Sequence, residues 1–576
     1  MKKRLLLARP PETALRELEG GLGLSPLLAR LLVNRGISSC EAARDFLAPP
    51  AAERLRPPSG LQDLEPALER LSRAVRAGEE ILVFGDYDVD GVTAGVTLEG
   101  FLAACGARVR LYLPHRIEDG YGLKPRHIRE EACRRGIRLV VTVDSGSSSH
   151  AAVREAAARG VDVIVTDHHA VNGELPPALA VINPRRPDCP AGLGHLSGVG
   201  VAFYLAVALR RRLREKGFFV GRPEPNLLAW SDLVALGTIA DAAPLAAENR
   251  ILTRIGLARI VRSARPGLEA LKAASGLSAE DLASGEEAAF RLIPPLNAAG
   301  RLEHPRLAAE LLTARTAPDA ERLARRLTAL NRARRELERT VLAEAEAEIA
   351  SRPELLAGHS LVLARTGWHP GVIGIAAARL AERFSRPVVL VALDGRRGRG
   401  SARSLPGIDL AACLSACGRH LEAAGGHAQA AGLEIDAARL PSFRAAFEEA
   451  VAASAAGEAR ETAWVVDAPL EIADIDGSTL QSLRALMPFG AGNPEPLFLA
   501  RGVEVIASTP LSGGHRRLLV RSAGAGARRP PLPALWFHPD PRTADCRRFA
   551  RLVYRLRSER PDGRRPELRV EDADPG

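Results

Sequence analysis

The chain is poor in the residues that mark several large classes of protein. Aromatics make up only 4% of its 576 residues, methionine occurs twice, and no run of about 18 apolar residues is present. A transmembrane helix is therefore not expected. The opening stretch MKKRLLLARPPETALRELE starts with basic residues and LLLA, but charge and proline interrupt it too early for the apolar core of a signal peptide. Cysteine is sparse and scattered, at 40, 105, 133, 189, 413, 417 and 546, with no CxxC pair. Cys413 and Cys417 fit one face of an apolar helix. Neither a zinc site nor a disulfide framework is expected, and the cytoplasm is the expected compartment.

What is present is ordinary globular material: 46% hydrophobic and 26% charged residues. At about 150 residues per domain, the length suggests roughly three or four domains. Lys plus Arg number 79 against 69 for Asp plus Glu, a net charge of +10. That balance favours an anionic partner such as nucleic acid, but weakly. The basic residues are almost all Arg and Ala is abundant, which reflects genomic base composition as readily as function.

Residues 1–60 hold short helical patterns broken by Pro-rich stretches. From 81 the text alternates. ILVFG ends in DYDVDG, RVRLYL follows a helix, RLVVTV ends in DSG, and VDVIVT ends in DHH, with a helical pattern between each pair. Such alternation implies right-handed βαβ units and a parallel sheet, here assigned to 61–316. Residues 317–350 contain no Gly and no internal break, and Leu recurs at helical spacing, so one long connecting helix is expected. A second α/β pattern occupies 351–457. From 458 the pattern becomes short strands and turns, which suggests a small β-barrel of the oligonucleotide-binding type over 458–576, ending in a loose polar tail from about 560.

Three acidic clusters fall at the carboxyl ends of three expected parallel strands: Asp86, Asp88 and Asp90; Asp144; and Asp167, His168 and His169. Open α/β sheets bind ligands at that edge. Asp241 ends the apolar run LVALGTIAD. Two carboxylates at 4 Å repel by roughly 4 kcal/mol at an effective dielectric of about 20, so a cation is needed to offset them. Carboxylate and imidazole ligands together suit Mn2+, and an oxygen-rich set admits Mg2+. Taken singly, each cluster has a plainer reading. DYDVDG resembles the start of a calcium loop but lacks the glutamate expected near its twelfth position, Asp144 alone is compatible with a helix cap, and two histidines after a strand are compatible with an ordinary loop.

The ordered set VFGDYDVDG, VTVDSG, VTDHH and GTIADAAPLAAENR closely resembles the DHH phosphoesterase superfamily, nearest to its bacterial branch of single-strand-specific DNA exonucleases. HRIEDGYGL (115–123), INPRR (182–186), LSGVGVAF (196–203), PPLNAAGRL (294–302) and PFGAGNPEP (488–496) resemble that branch too. GWHPGVIGIAAARL (367–380), RGSARS (399–404) and GGHAQAAG (425–432) are similar to the DHH-associated domain.

The resemblance implies an α/β fold with a parallel-sheet DHH domain, a linker helix, a second α/β DHH-associated domain and a C-terminal OB-like β-barrel. It implies two ions, Mn2+ or Mg2+, held by Asp86, Asp88, Asp90, Asp144, His168 and Asp241, with His169 close to the metals or the phosphate. Many members carry a histidine where this chain has Phe84, and Asp86 stands nearby instead. Asp167 is read as orienting an imidazole or as capping a strand end. Arg301 is read as a phosphate clamp or a surface arginine. Ser401, Arg403, Gly426 and His427 lie in small, polar segments suited to close approach by a nucleotide, although the family often has Gly in place of Ala402. Trp368 and His369 are read as stacking on a base or sugar, or as buried. Trp536, Phe537 and Tyr554 are read as stacking platforms or core.

The function implied is 5′→3′ exonucleolytic hydrolysis of single-stranded DNA to mononucleotides by two-metal catalysis, in recombination and repair, with replication or repair proteins as further partners and no membrane. Two rivals remain at this point: another DHH phosphodiesterase acting on short oligonucleotides, and a non-catalytic nucleic-acid-binding replication scaffold.

Overall fold

Short strands, most of them apolar pentads joined by helices, assemble into a five-stranded parallel sheet. The computed structural model describes all residues except 1–3, 172, 263–264, 278–284, 455–462, 525–529, 541 and 559–565. Its first sheet runs Arg108–Tyr112, Glu80–Phe84, Leu139–Val143, Asp162–Thr166, Ala180–Ile182, every neighbour parallel. LVVTV sits at the centre and is buried along its whole length, which explains why it shows no alternation. Side chains of successive residues go to opposite faces. Ile81, Val83, Val141 and Ile164 pack against the helices Leu64–Ala77, Val89–Ala104 and Gly198–Glu215, while Leu82, Phe84, Val140 and Val165 pack against His150–Ala158.

The helix Ala317–Ser351 leaves this unit without a break. Thr316 caps it by accepting from the Asp319 N–H. Leu323, Ala324 and Leu327 at one end belong to the core around the first unit, and Val341, Ala345 and Ile349 at the other belong to the core of the second. One helix is thus shared by two cores. The second unit is a five-stranded sheet in the order Ala423–Gly426, Ala430–Asp436, Arg397–Arg403, Val388–Asp394, Leu361–Thr366.

The C-terminal strands Phe498–Leu511, His515–Ser522, Leu532–Trp536, Arg548–Ser558 and Pro566–Asp574 form a closed barrel, because 498–511 pairs with both 515–522 and 548–558. The loose tail expected from about 560 is corrected here. Pro566–Asp574 is a barrel strand, parallel to 532–536 and antiparallel to 548–558, with Leu568 and Val570 in the core. Its alternation is short and charged on the outer face, so it reads as polar. Trp536 and Tyr554 are also core, the Tyr554 hydroxyl donating to the Leu470 carbonyl at 2.8 Å; Phe537 alone of the three aromatics is half-exposed.

The N-terminal segment joins this barrel. Arg4–Leu7 pairs in parallel with Ala463–Val466, and Leu18, Leu28, Leu31 and Leu32 share a core with Phe498, Val520 and Tyr554. The expected boundary at 457/458 lies outside the described residues. Among the described residues no helix is long and apolar enough to cross a membrane, and the seven cysteines are free thiols.

Candidate active site

The acidic clusters converge at the carboxyl edge of the parallel sheet. Asp88 is the N-cap of the helix Val89–Ala104, accepting from the Gly91 N–H, and this brings Asp90 into the first turn. Asp90 is buried and accepts two backbone bonds, from Gly198 N–H at 2.7 Å and Val199 N–H at 2.9 Å. The start of the helix Gly198–Glu215 and the loop leading into it must pass very close to make them; a Cβ on Gly198 would lie 2.4 Å from Asp144 Oδ1. Asp144 itself follows its strand at φ 57, a left-handed conformation that an Asp tolerates better than most residues. Asp167 turns back to receive the N–H groups of Ser147, His168 and His169, and lies 2.7 Å from His169 Nδ1. Asp241 comes from the C-terminal end of the helix Ser231–Ala240, not from a strand.

Three overlapping groups result: Asp86 with Asp88 and Asp144; Asp90 with His168 and Asp241; and Asp144 with His168 and His169. Within each, the donor atoms lie within 4.8 Å of one another. His168 Nε2 is 3.0 Å from Asp144 Oδ1 and 3.8 Å from Asp90 Oδ2, and its Nδ1 is 3.7 Å from Asp241 Oδ2. Asp86 Oδ1, Asp144 Oδ1 and both His168 ring nitrogens are buried without a hydrogen-bond partner. Orphaned polar atoms of this kind are costly unless something else occupies them. Burial and the neighbouring Asp88 push Asp86 up to about 8 and Asp241 up to about 6, and burial with mutual repulsion holds Asp90 and Asp144 well above the carboxylate range. Burial, then His169, pulls His168 down to about 3, so it is neutral and able to ligate. His169 is opposite in character. Burial opposes its charge, but Asp167 and the surrounding carboxylates push it up to about 9. The donor set, its uncompensated negative charge and its orphaned atoms fit divalent cations.

Phe84, in place of the histidine many members carry, is buried, stacked on Tyr112 with centroids at 5.6 Å and tilted against His127 at 5.1 Å. No imidazole reaches the Asp86–Asp88 side from that position.

A second cluster, of opposite charge, borders Tyr87. The Arg116 guanidinium lies over the Tyr87 ring at 4.7 Å. Arg301 donates to the Gly371 carbonyl at 3.3 Å, and Arg403 donates to Ser401 Oγ at 2.9 Å and to the Ala402 carbonyl at 2.7 Å. Burial, then Arg116 and the other arginines, pulls Arg301 down to about 9, and burial with Arg116 lowers Arg403. Among the described residues no ion pair to a carboxylate is seen for Arg116, Arg301 or Arg403, and such guanidinia suit an anion.

The remaining sequence candidates divide. His427 comes from the second unit to stack on His169, with centroids at 6.0 Å and ring planes 12° apart, so it faces the carboxylate cluster and not the arginines. Gly426 precedes it in an exposed strand. His369 lies in the turn that receives Arg301, its Nδ1 accepting from Gly371 N–H. Trp368 is a correction: it is 6% exposed, packed in the core of the second unit, with its indole N–H donated to Glu344 at 2.7 Å, and cannot stack on a base.

Sequence reasoning missed several residues. Arg116 sits in HRIEDGYGL, a segment valued only for its resemblance. Tyr121 lies with its hydroxyl 3.2 Å from His169 Nδ1. Asn183 donates to the His169 carbonyl at 2.9 Å, and Asn297 accepts from Val89 N–H at 3.1 Å. Each lies in a quoted motif, and that was the only signal for it.

Comparison with known proteins agrees with this architecture. The DHH family N-terminal domain matches residues 80–238, the DHHA1 domain 358–453 and the RecJ OB domain 466–572. The chain is 38% identical over 552 residues to the single-stranded-DNA-specific exonuclease RecJ of Salmonella typhimurium, covering 94% of this chain and 93% of that one. It is 39% identical over 513 residues to the RecJ of Thermus thermophilus, covering 88% and 71%. The crystal structure of Thermus thermophilus RecJ in complex with Mn2+ superposes with a TM-score of 0.82 at 33% identity, covering 99% of this chain and 79% of that one. With that identity carried across nearly the full length of both chains, the protein belongs to the RecJ family of single-stranded-DNA-specific exonucleases.

Proposed function

We propose that this chain degrades single-stranded DNA in the 5′→3′ direction, releasing mononucleotides, with two Mn2+ or Mg2+ ions held by Asp86, Asp88, Asp90, Asp144, His168 and Asp241. The observation that carries the reading is the buried carboxylate–imidazole cluster with its orphaned oxygens and nitrogens. Two bound ions would neutralise the developing charge and activate water at the scissile phosphodiester. The protein does the positioning. The backbone N–H groups of Gly198 and Val199 fix Asp90, and Asp167 fixes His169 through Nδ1, leaving its Nε2–H for a phosphate oxygen. Arg116, Arg301 and Arg403 would clamp the doubly charged 5′-terminal phosphate, holding the next bond against the acidic edge. The closed barrel would grip the strand further along, and it favours long strands over dinucleotide-sized substrates. Recombination and repair, in the cytoplasm, are the setting we assign.

The test is digestion of single- and double-stranded DNA labelled at either end, with Mn2+, Mg2+ or EDTA. The expected result is early release of the 5′ label as mononucleotide from single strands only, with either metal and not with EDTA. Early loss of the 3′ label would overturn the polarity, and cleavage of circular single strands would overturn the exonucleolytic mode.

A further inference from the structure

Two sequence motifs have no part in the chemistry above: the second half of GTIADAAPLAAENR and the barrel-proximal PFGAGNPEP. They meet behind Asp241. That residue ends its helix with its N–H on the Gly237 carbonyl at 2.9 Å. The chain then turns through Ala242 at φ 53 and enters the helix Ala247–Arg262 through Ala247 at φ 44. Left-handed backbone at two alanines persists only where the surroundings enforce it.

Two contacts enforce it. Asn249, fully buried, donates its amide to the Pro244 carbonyl at 3.1 Å and to the His195 carbonyl at 2.6 Å. His195 is also held by its ring, Nε2 lying 2.7 Å from buried Glu248, which receives Arg56 on its other oxygen. Three residues beyond His195 begins the pair of N–H groups that anchors Asp90. Asn249 therefore staples the loop that anchors Asp90 to the turn that carries Asp241. From the opposite side, the Ala491 carbonyl accepts from Leu245 N–H at 2.7 Å. Ala491 stands in a tight turn closed by backbone bonds between Gly490 and Asn493 at 2.9 and 3.1 Å, and Asn493 braces it by donating to the Leu486 and Pro488 carbonyls. Gly492 has φ 72, and a Cβ on it would lie 3.1 Å from Pro244 Cβ.

We infer that Asn249 and the Gly490–Asn493 turn are positioning elements that set Asp241 against Asp90 and His168, so that docking of the C-terminal domain governs cation affinity at that group. The inference rests on the metal-site reading proposed above. None of these residues touches a cation; each acts through the backbone on either side of Asp241.

Full-length Asn249→Ala and Gly492→Ala test it from the two sides, with Asp241→Ala as the reference. Metal-free protein is titrated with Mn2+ by calorimetry. Then kcat and KM are measured on a 5′-phosphorylated single strand over a range of Mn2+, with circular dichroism and Tm alongside. The expected result is a Mn2+ binding event weakened about tenfold to a hundredfold, kcat depressed at low Mn2+ and restored at high Mn2+, and KM for DNA within about twofold of the parent. A purely structural role would lower Tm without moving the isotherm and without rescue by Mn2+. Folded variants with the parental isotherm, beside an Asp241→Ala that has lost an ion, would overturn the inference alone. An Asp241→Ala with the parental isotherm would overturn the metal-site reading and the inference with it. Should Asn249→Ala not fold, Gly492→Ala decides by itself.

Discussion

Removing Arg403 should weaken capture of the DNA end while leaving the fold nearly as stable as before. The guanidinium spends one nitrogen on Ser401 Oγ and the Ala402 carbonyl. Among the described residues the rest of its fork has no hydrogen-bond acceptor, and it shares its surroundings with Arg116. A charge-assisted hydrogen bond to phosphate is worth about 1.5–3 kcal/mol, so Arg403→Ala should cost roughly ten- to hundredfold in kcat/KM. The loss should fall mainly on KM, with a smaller fall in kcat if the scissile bond is displaced. Two effects on stability oppose each other. The two local hydrogen bonds disappear, at about 1 kcal/mol each, while a like-charge repulsion with Arg116 and Arg301 is relieved. Tm should therefore stay within about 2 °C. Steady-state rates on otherwise identical oligonucleotides with a 5′-phosphate or a 5′-hydroxyl provide the assay. The parent should prefer the phosphate, and the variant should lose most of that preference. An unchanged ratio would remove Arg403 from the terminal site. A weakened Mn2+ isotherm would mean that the two clusters are not separate.

Asp144→Ala and His168→Ala should each abolish most turnover, and in metal-free protein Asp144→Ala should raise Tm, since it removes a buried carboxyl repelled by Asp90, Asp88 and Asp86; a folded variant with near-parental rate would exclude that residue from the site. Metal-free protein should lose stability as pH rises from about 5 to 8, because Asp86, Asp90, Asp144 and Asp241 hold protons in the folded state that the unfolded chain has released, and His169, raised to about 9, adds to the same slope. His168, lowered to about 3, opposes this only below about 6.5; scanning calorimetry showing higher Tm at pH 8 than at pH 5.5 without metal would refute the arrangement. Truncation before residue 466 should destroy activity on short and long strands alike, because it removes the Ala491 contact to Leu245 and the Leu486 and Ala485 carbonyls that receive Arg250; a truncated chain with full activity on short strands would contradict this.

The acidic edge could be read from the sequence because each strand is a short apolar word ending in its functional residue, and a parallel sheet gathers such endings. Asp241 was found through its motif although it ends a helix. The barrel was legible as a set of short strands, but its final strand was not, because its outward residues are charged and its inward ones few. Burial of Trp368 depends on Glu344, 24 residues earlier on a different element, and no local pattern reports that. His427 presents a related difficulty. Its Gly-rich surroundings suggest contact with a nucleotide, but no local pattern reports that its ring also stacks on the imidazole of His169 across the two units. Arg116 has no periodicity to mark it; only the folded loop brings it over Tyr87.

The parallel pairing of Arg4–Leu7 with Ala463–Val466 has a consequence for synthesis on the ribosome. The partner of the first strand is encoded 459 residues later, the difference between positions 4 and 463. At about 5–20 residues per second, roughly 25–90 seconds pass between emergence of the two. Throughout that interval Leu18, Leu28, Leu31 and Leu32 lack the barrel core that later covers them, while the parallel sheet between them in sequence has all of its own strands once residue 182 has emerged. The N-terminal helices are thus made long before the barrel that buries them, and the burial of Leu18, Leu28, Leu31 and Leu32 waits on the far end of the described chain.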